Sequence, residues 1–554
     1  MDPPVYNSNS FTGEFAFLDP ASARTGLALC LTAYVVYGAI ALAIAFWRPH
    51  EKANSADFFI TARNSQSLMW QAGSWFASAM GAWTLYGPAS LVSDPYFGTG
   101  IVGLIVYSVF TGAPLIMLAY MGSSVRSNVP TATSVGSYAE FRFGKFVQVF
   151  VMLLVLLILT MNLLAEYMAI GGIFATFFGC SPYVPLITVG LITMLYTSVG
   201  GLFVSIRTDF LQAIVVLTLT LGTVIYMAVS FAGHPLPPLP EYLGATTAGW
   251  QTFATLMIPF ICGTFFGEGF WQRIWSAENN RALVLGSWIG GSLASIVVFI
   301  LGFGGILAYW SGRALADSSN PINSSYAFFY AFADPSTGSI STVVIIVVLI
   351  FATIMDESAV DTFQNAITDT LATFAAVLGL KLNPIIVRVL VVVANVPIMA
   401  GASYLVTSQV SILNTFGLIN MLATHAFAPL AAGLIPQLNA YHTTFSAMGA
   451  CVGAFIATSV YGVLHYGDAY TGFTALWWAS TYDYLGFITA FVASIVCIPL
   501  FIGIEFGVRA LMGWQRPTPF DPKKLVRVEA AFTDVVDAIG VHAVKAVADI
   551  KLRM

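Results

Sequence analysis

Acidic side chains recur within long apolar stretches of this 554-residue chain. A charge at membrane depth is costly, so such residues are candidates for function. No Lys or Arg lies at the centre of any of these stretches, although Arg207 and Arg273 lie near two of their ends. Carboxylates without a cationic partner must be protonated, hydrated or facing a cation, so the pattern predicts binding of a coupling ion or a positively charged substrate. For Asp209 and Asp369, simple solvation at a helix end is an equal alternative. The set comprises Glu166, Asp209, Glu268, Asp356, Glu357, Asp361 and Asp369.

One stretch, about 342–378, combines these carboxylates with hydroxyl and amide groups. Ser358 lies three residues before Asp361 and four before Thr362, and Asn365 continues the same helical face. Hydroxyl, carboxylate and amide oxygens are hard ligands suited to Na⁺, and they are equally suited to accept protons in a relay. The spacing therefore predicts a cation-binding face and leaves Na⁺ and H⁺ both open.

The composition indicates what positions these residues. The chain is 58% hydrophobic and only 8% charged, whereas soluble domains carry about 25% charged residues. Its apolar runs are long enough to cross a bilayer as helices, and the alternating strands of a membrane barrel are absent. We therefore predict an all-α polytopic membrane protein with about 13 transmembrane helices. The predicted spans are 26–47, 69–92, 101–121, 146–178, 183–200, 208–231, 252–271, 282–309, 342–378, 386–406, 410–434, 443–464 and 484–510.

The distribution of Lys and Arg predicts the orientation, because basic residues favour cytoplasmic loops. They concentrate in one alternate set of connections and in the tail after 511. This places an N-terminal segment, 1–25, outside the cell and a tail, 512–554, in the cytoplasm, and we expect a plasma-membrane location. The sequon at Asn323 falls in a predicted external loop, where its glycosylation depends on the host. The tail is predicted to be a helix that packs on the bundle, with a membrane-interface amphipathic helix as the alternative.

Two spans carry signals for broken helices. The second contains a run rich in small residues at 73–83, followed by Gly87-Pro88, and the seventh contains Gly263, Gly267 and Gly269 within the segment 259–269. Transporters use such breaks at matching places in two inverted repeats, and these spans lie five apart. Close helix packing by small residues is the alternative explanation.

Four motifs resemble the sodium/solute symporter family, which includes sodium/glucose, sodium/proline and urea transporters. The resemblance implies a ten-helix core of two inverted five-helix repeats at 69–434 and transport by alternating access. A first helix and loop at 26–68 and peripheral helices at 435–511 flank this core. The motifs are DFFITAR at 57–63, YAEFRFG at 138–144, YTSVGGL at 196–202 with Thr208-Asp209 and Gln212, and SAVDT at 358–362 with Asn365.

The resemblance also implies a Na⁺ site. Its ligands would be carbonyls of Ala77, Met80 and Met355 with the Ser358 hydroxyl, and Asp209 would lie on the inner ion pathway. Asp361 and Thr362 complete the predicted cation-binding set. The chain departs from the family at 359, where an alanine replaces the second hydroxyl, and at 79, where an alanine replaces an acidic residue of some members. The coupling ion is therefore Na⁺ or H⁺. If it is H⁺, the carboxylate that takes up and releases the proton is Asp356, Glu357 or Asp361. No other cofactor is expected.

The seventh span suggests the substrate. Its GEGFWQ segment at 267–272 resembles the D-x-x-Y-W-Q segment of urea and polyamine transporters in the same family. We predict that Trp83, Phe265 and Trp271 sandwich a flat polar solute, with Thr264 and Glu268 as hydrogen-bonding partners. Ordinary core aromatics and an ion-site carboxylate are the alternative.

The function predicted from these features is cation-coupled symport of a small polar solute, urea or a related amide or amine. The expected partners are the solute, the coupling cation and the lipid bilayer. Nucleic acid is not expected, since basic residues form no stripe. Metalloprotease, P-loop and nucleophile-elbow motifs are absent, so we expect no enzyme. A transporter-like sensor, a membrane-embedded enzyme and a channel are the alternatives.

Overall fold

The computed structural model describes residues 17–47, 55–93, 98–129, 132–314, 326–334, 340–380, 383–407, 412–478, 483–515 and 520. These residues form nineteen α-helices: α1 Pro20–Trp47, α2 Ala56–Thr61, α3 Leu68–Ala77, α4 Gly87–Ser93, α5 Gly100–Asn128, α6 Val135–Phe143, α7 Lys145–Phe178, α8 Tyr183–Phe231, α9 Thr247–Thr252, α10 Ile258–Phe265, α11 Glu268–Ser276, α12 Asn280–Trp310, α13 Ala327–Tyr330, α14 Thr342–Val377, α15 Pro384–Thr407, α16 Ile412–Ala431, α17 Thr444–Tyr466, α18 Ala469–Trp478 and α19 Tyr484–Met512.

The all-α membrane fold is confirmed. Within the described ranges, ten helices are long and apolar enough to cross a membrane, and the bent pair formed by α10 and α11 raises this number to eleven. Extended pairing in the same ranges is limited to two isolated bridges. The count of thirteen stays a prediction, since it requires α8 to cross twice and the short α3 and α4 to form one crossing.

Helix α8 differs most from the predicted boundaries, because the spans 183–200 and 208–231 form one kinked helix. The kink lies at Gly201, whose φ of 57° is disfavoured for residues with a side chain. A Cβ there would lie 2.5 Å from the carbonyl oxygen of Phe59. Gly201 of the GG pair thus bends the chain and lets α2 pack closely. The short helices α2, α6, α13 and α18 were not predicted.

Both predicted helix breaks are confirmed. In the second span, α3 ends at Ala77 and a 3₁₀ turn, Ala82–Leu85, precedes α4. In the seventh, α10 ends at Phe265 and α11 begins at Glu268, with a bend of 53° between the two segments. Backbone groups are freed at both breaks, as in the discontinuous helices of transporters.

The two broken spans contact each other at the end of the bundle that is next to the connections rich in Lys and Arg. The Gln71 side chain of α3 donates to the carbonyl of Arg273 (3.1 Å) and to the Ser276 hydroxyl (2.8 Å) of α11. A parallel bridge between Gln66 and Ala277 joins the segments just outside the membrane helices. The halves α3 and α11 are therefore tied together at this end.

The start of the C-terminal tail docks on the bundle. The ring of Phe520 packs edge-on against Phe141 at 5.1 Å and beneath the Arg142 guanidinium at 4.7 Å. The predicted helix in the rest of the tail and the sequon at Asn323 lie outside the described residues.

Candidate ion and substrate site

A buried ion pair lies where the two broken spans meet. Nη2 of Arg273 donates to Oδ2 of Asp209 at 2.8 Å, and both side chains are 0% exposed. The prediction that the intramembrane carboxylates lack a cationic partner is therefore wrong for Asp209. The bend before α11 explains the difference, since this short half-helix carries Arg273 into the interior instead of leaving it at a membrane surface.

Asp209 also joins three helices through hydroxyl groups. Ser74 of α3 donates to its Oδ2 at 2.6 Å, and Ser358 of α14 donates to its Oδ1 at 2.9 Å. The same guanidinium reaches the Thr362 hydroxyl at 3.1 Å. The structure thus brings Asp209, Ser358 and Thr362 of the predicted cation-binding set together.

Asp361, the fourth polar member of that set, is held by neutral donors of α8. The Tyr196 hydroxyl donates to Oδ2 at 2.9 Å and the Ser205 hydroxyl to Oδ1 at 3.0 Å. Tyr196 belongs to the YTSVGGL motif, and Ser205 follows the Gly201 kink. These contacts orient the carboxylate without adding positive charge.

The residues predicted to supply carbonyls lie on the expected elements. Ala77 ends α3, and its carbonyl accepts from the amide of Met80 at 3.0 Å within the break. Met355 lies on α14 one turn before Ser358 and is buried. Their role as Na⁺ ligands stays a prediction. Clusters of three or more His, Cys, Asp or Glu with metal-binding geometry are absent from the described residues.

The other predicted carboxylates have neutral partners or none. Glu166 accepts from the Ala82 amide (3.1 Å) at the start of the 3₁₀ turn, and Asp356 accepts from the Tyr34 hydroxyl at 2.9 Å. Neither oxygen of Glu357 has a hydrogen-bond partner among the described residues. In the described part of the chain, six of the seven predicted carboxylates form no salt bridge, namely Glu166, Glu268, Asp356, Glu357, Asp361 and Asp369.

The predicted aromatic residues fall into two groups. Trp83 packs near Tyr107, with ring centroids 5.9 Å apart. Phe265 and Trp271 meet edge to face at 5.9 Å and 84°, and Nε1 of Trp271 donates to the Phe265 carbonyl at 2.7 Å. These two rings pack against each other across the break, and their role in sandwiching a flat solute stays a prediction. Thr264 also lies at the break, its carbonyl accepting from the Gly267 amide at 3.0 Å.

The sequence reasoning missed several residues that complete the site. Ser74 and Arg273 join Asp209, Tyr196 and Ser205 join Asp361, and Tyr34 joins Asp356. Ser74 lay within the run of small residues, and Tyr196 within a recognised motif. Tyr34 carried no signal, since it lies 322 residues from its partner on a helix outside the predicted core.

The sequence model of the Sodium:solute symporter family matches residues 58–308. The predicted family resemblance is confirmed. Nearly all of the first three motifs falls in the matched range, whereas the Ser358 motif lies beyond it, so the roles carried over to α14 stay predictions. Together with the apolar helices, the match supports an integral membrane protein that resembles this transport family. The plasma-membrane location and the orientation stay predictions.

Two curated relatives are similar in sequence. The spermidine transporter DUR31 of Candida albicans is 26% identical over 443 residues, which cover 78% of this chain and 80% of the relative. The sodium/glucose cotransporter 1 of Oryctolagus cuniculus is 29% identical over 211 residues, only 36% of this chain and 30% of the relative.

The fold is also found among solved structures. A Na⁺-coupled sialic acid symporter in a substrate-bound outward-open state aligns with a TM-score of 0.60 and 16% identity, covering 85% of this chain and 98% of that one. At this identity the likeness is evidence for the fold alone.

Proposed function

We propose that the protein is a secondary active symporter that couples entry of a cation to uptake of a small organic amine of the polyamine class. The observation that carries the proposal is the set of buried carboxylates around α14, six of which form no salt bridge in the described residues. An unpaired buried carboxylate costs several kcal/mol. A transported cation offsets that cost when it binds.

The coupling ion is proposed to bind beside the ion pair, on the carbonyls of Ala77, Met80 and Met355 and the hydroxyl of Ser358. Ser358 already donates to Asp209 at 2.9 Å, so an ion bound there acts on the Asp209–Arg273 pair. Na⁺ is favoured by the family match. The alanine at 359 removes one hydroxyl from the site, and the H⁺ alternative is kept in the experiment for that reason.

Coupling follows if both ligands stabilise the same closed state. The ion contacts α3 and α14, whereas the amine is proposed to lie between the breaks, near Trp83, Thr264 and Glu268. Each ligand then lowers the free energy of the state in which α3, α11 and α14 are packed together. The coupling free energy is shared by both ligands, so each must raise the affinity for the other by the same factor.

An amine is favoured over urea because its positive charge compensates the buried carboxylates. The similarity to a spermidine transporter supports this choice. A neutral solute would leave the carboxylates uncompensated. Urea is the second candidate, because the GEGFWQ segment resembles that of urea transporters as well as that of polyamine transporters.

The test is uptake of radiolabelled spermidine, putrescine and urea into proteoliposomes under a Na⁺ gradient or a proton gradient, each imposed alone. We expect saturable spermidine uptake that one gradient drives above equilibrium. Uptake of all three solutes that is non-saturating and independent of either gradient would contradict symport. Driven uptake of urea alone would replace the amine with urea.

A further inference from the structure

A second group of buried polar side chains lies between α11 and α14 and shares none of its members with the Asp209 ion pair. It consists of Glu268 and Gln272, four residues apart on one face of α11, and Asp369 of α14. All three are at most 1% exposed. The sequence assigned Glu268 to the substrate and gave Gln272 no role.

Within the described part of the chain, each of the three side chains leaves one oxygen without a hydrogen-bond partner: Glu268 Oε1, Gln272 Oε1 and Asp369 Oδ1. Their other polar atoms are fixed. Glu268 Oε2 accepts from the Val135 amide at 3.0 Å, and Gln272 Nε2 donates to Asp369 Oδ2 at 3.3 Å and to the Ile60 carbonyl at 3.4 Å. A buried polar atom without a partner is unusual in a folded protein and requires an explanation.

Asp369 accepts from Gln272, which lies one turn from Glu268 on α11, so both carboxylates border the same buried region. Among the described residues, neither nearby arginine forms a salt bridge with Glu268 or Asp369. Arg273 pairs with Asp209 and also donates to the Gly269 carbonyl, whereas Arg63 pairs with Asp57 and donates to the Ala132 carbonyl. Two buried negative charges without a counter-charge are strongly unfavourable.

We infer that Glu268, Gln272 and Asp369 form a second cation site that binds one monovalent cation through oxygen atoms. Two carboxylates and an amide supply hard oxygen ligands, which suit an alkali ion and also the primary ammonium group of an amine. The inference rests on the proposed function in one respect: the bound cation is one of the two transported species.

The backbone groups of α2 and α6 that bond to Gln272 and Glu268 suggest when in the transport cycle the site opens. The Val135 amide begins α6 and the Ile60 carbonyl lies on α2, two short helices that precede and follow membrane-spanning segments. Separation of α2 and α6 from α11 breaks these bonds and opens the site. The cation therefore binds here as it moves to or from the end of the bundle that is next to the connections rich in Lys and Arg.

Equilibrium binding of ²²Na⁺ and of radiolabelled spermidine to the full-length purified protein tests this inference. The variants are Asp369→Asn and Glu268→Gln, which keep side-chain size and remove one charge each. The matched control is Glu278→Gln, an exposed glutamate just beyond α11. We expect both variants to weaken binding of one probe by about tenfold or more, and the control to bind both probes like the wild type.

The two probes distinguish the sources of the cation. Loss of one ²²Na⁺ per protein, with the Ser358 site still filled, identifies an alkali ion, whereas weaker binding of spermidine alone identifies an ammonium group. Unchanged binding of both probes in folded variants overturns the inference, and so does a wild-type protein that binds neither. If one variant does not fold, the other decides, supported by Gln272→Leu, which removes the amide oxygen without changing charge.

The two proposals fail separately. Driven uptake by the wild type together with unchanged binding in the variants rejects only the second site. Weakened binding in the variants without gradient-driven uptake by the wild type rejects the symport proposal and leaves the site standing.

Discussion

The guanidinium of Arg273 donates to the carboxylate of Asp209 across 2.8 Å, and neither side chain is exposed. This pair connects the second half of one broken span to the helix just past the Gly201 kink. Ser74 and Ser358 complete the coordination of Asp209 from α3 and α14. A cation that binds the Ser358 oxygen therefore lies one hydrogen bond away from the Asp209–Arg273 pair.

The ion pair itself gives the first prediction. Either Arg273→Met or Asp209→Asn alone should destabilise the protein by about 3–5 kcal/mol, because the remaining partner is left buried without compensation. The double variant should recover much of that loss. Thermal unfolding of the four proteins in detergent forms the double-mutant cycle. Strictly additive losses would show that the two side chains do not interact.

The second prediction concerns the proposed ion site. Ser358→Ala should raise the half-saturating concentration of the coupling ion by about tenfold, the loss expected for a hydrogen bond or ligand contact of about 1.4 kcal/mol. Thr353→Ala is the matched control, since this buried hydroxyl lies on the same helix and donates to the Leu349 carbonyl. Equal effects of the two substitutions on ion dependence would remove Ser358 from the site.

The alanine at 359 gives a third prediction. Ala359→Ser introduces the second hydroxyl of the family pattern at a position that is almost fully buried. If Na⁺ is the coupling ion, the variant should need less Na⁺ for half-maximal uptake. A variant with unchanged Na⁺ dependence but altered proton dependence would favour H⁺ as the coupling ion.

The fourth prediction concerns the fold at Gly201. Gly201→Ala should destabilise the protein by about 1–3 kcal/mol from its left-handed backbone alone, with a further loss from the Phe59 carbonyl 2.5 Å from the new Cβ. Gly222→Ala in the same helix is the control, because nothing lies within 4 Å of its Cβ position. Thermal unfolding and surface expression measure both. Equal behaviour of the two variants would contradict a structural role for the kink.

Sequence patterns predicted the features that depend on local spacing. Apolar length identified the spans, and clustered small residues identified the breaks after Ala77 and Phe265. The face of Ser358 and Thr362 followed from helical periodicity, and the structure brings both to the Asp209–Arg273 pair.

Features that depend on tertiary packing could not be predicted in this way. The direction of the 53° bend carries Arg273 inward, and nothing in its neighbours along the chain signals that direction. The partner of Asp356 is Tyr34, 322 residues away. The contact of Phe265 with Trp271 likewise depends on how the two half-helices are arranged around the break, which spacing alone does not determine.

The most direct test of coupled amine transport is the reverse experiment, in which a solute gradient drives the ion. Proteoliposomes receive spermidine on one side and equal ²²Na⁺ on both sides, with a parallel set that carries a pH-sensitive dye. Reciprocity of coupling predicts that the spermidine gradient moves the coupling ion against its own equilibrium, and that, at an ion concentration below half-saturation, Ser358→Ala weakens the effect while Thr353→Ala does not. Spermidine that crosses without moving either Na⁺ or H⁺ would contradict the account.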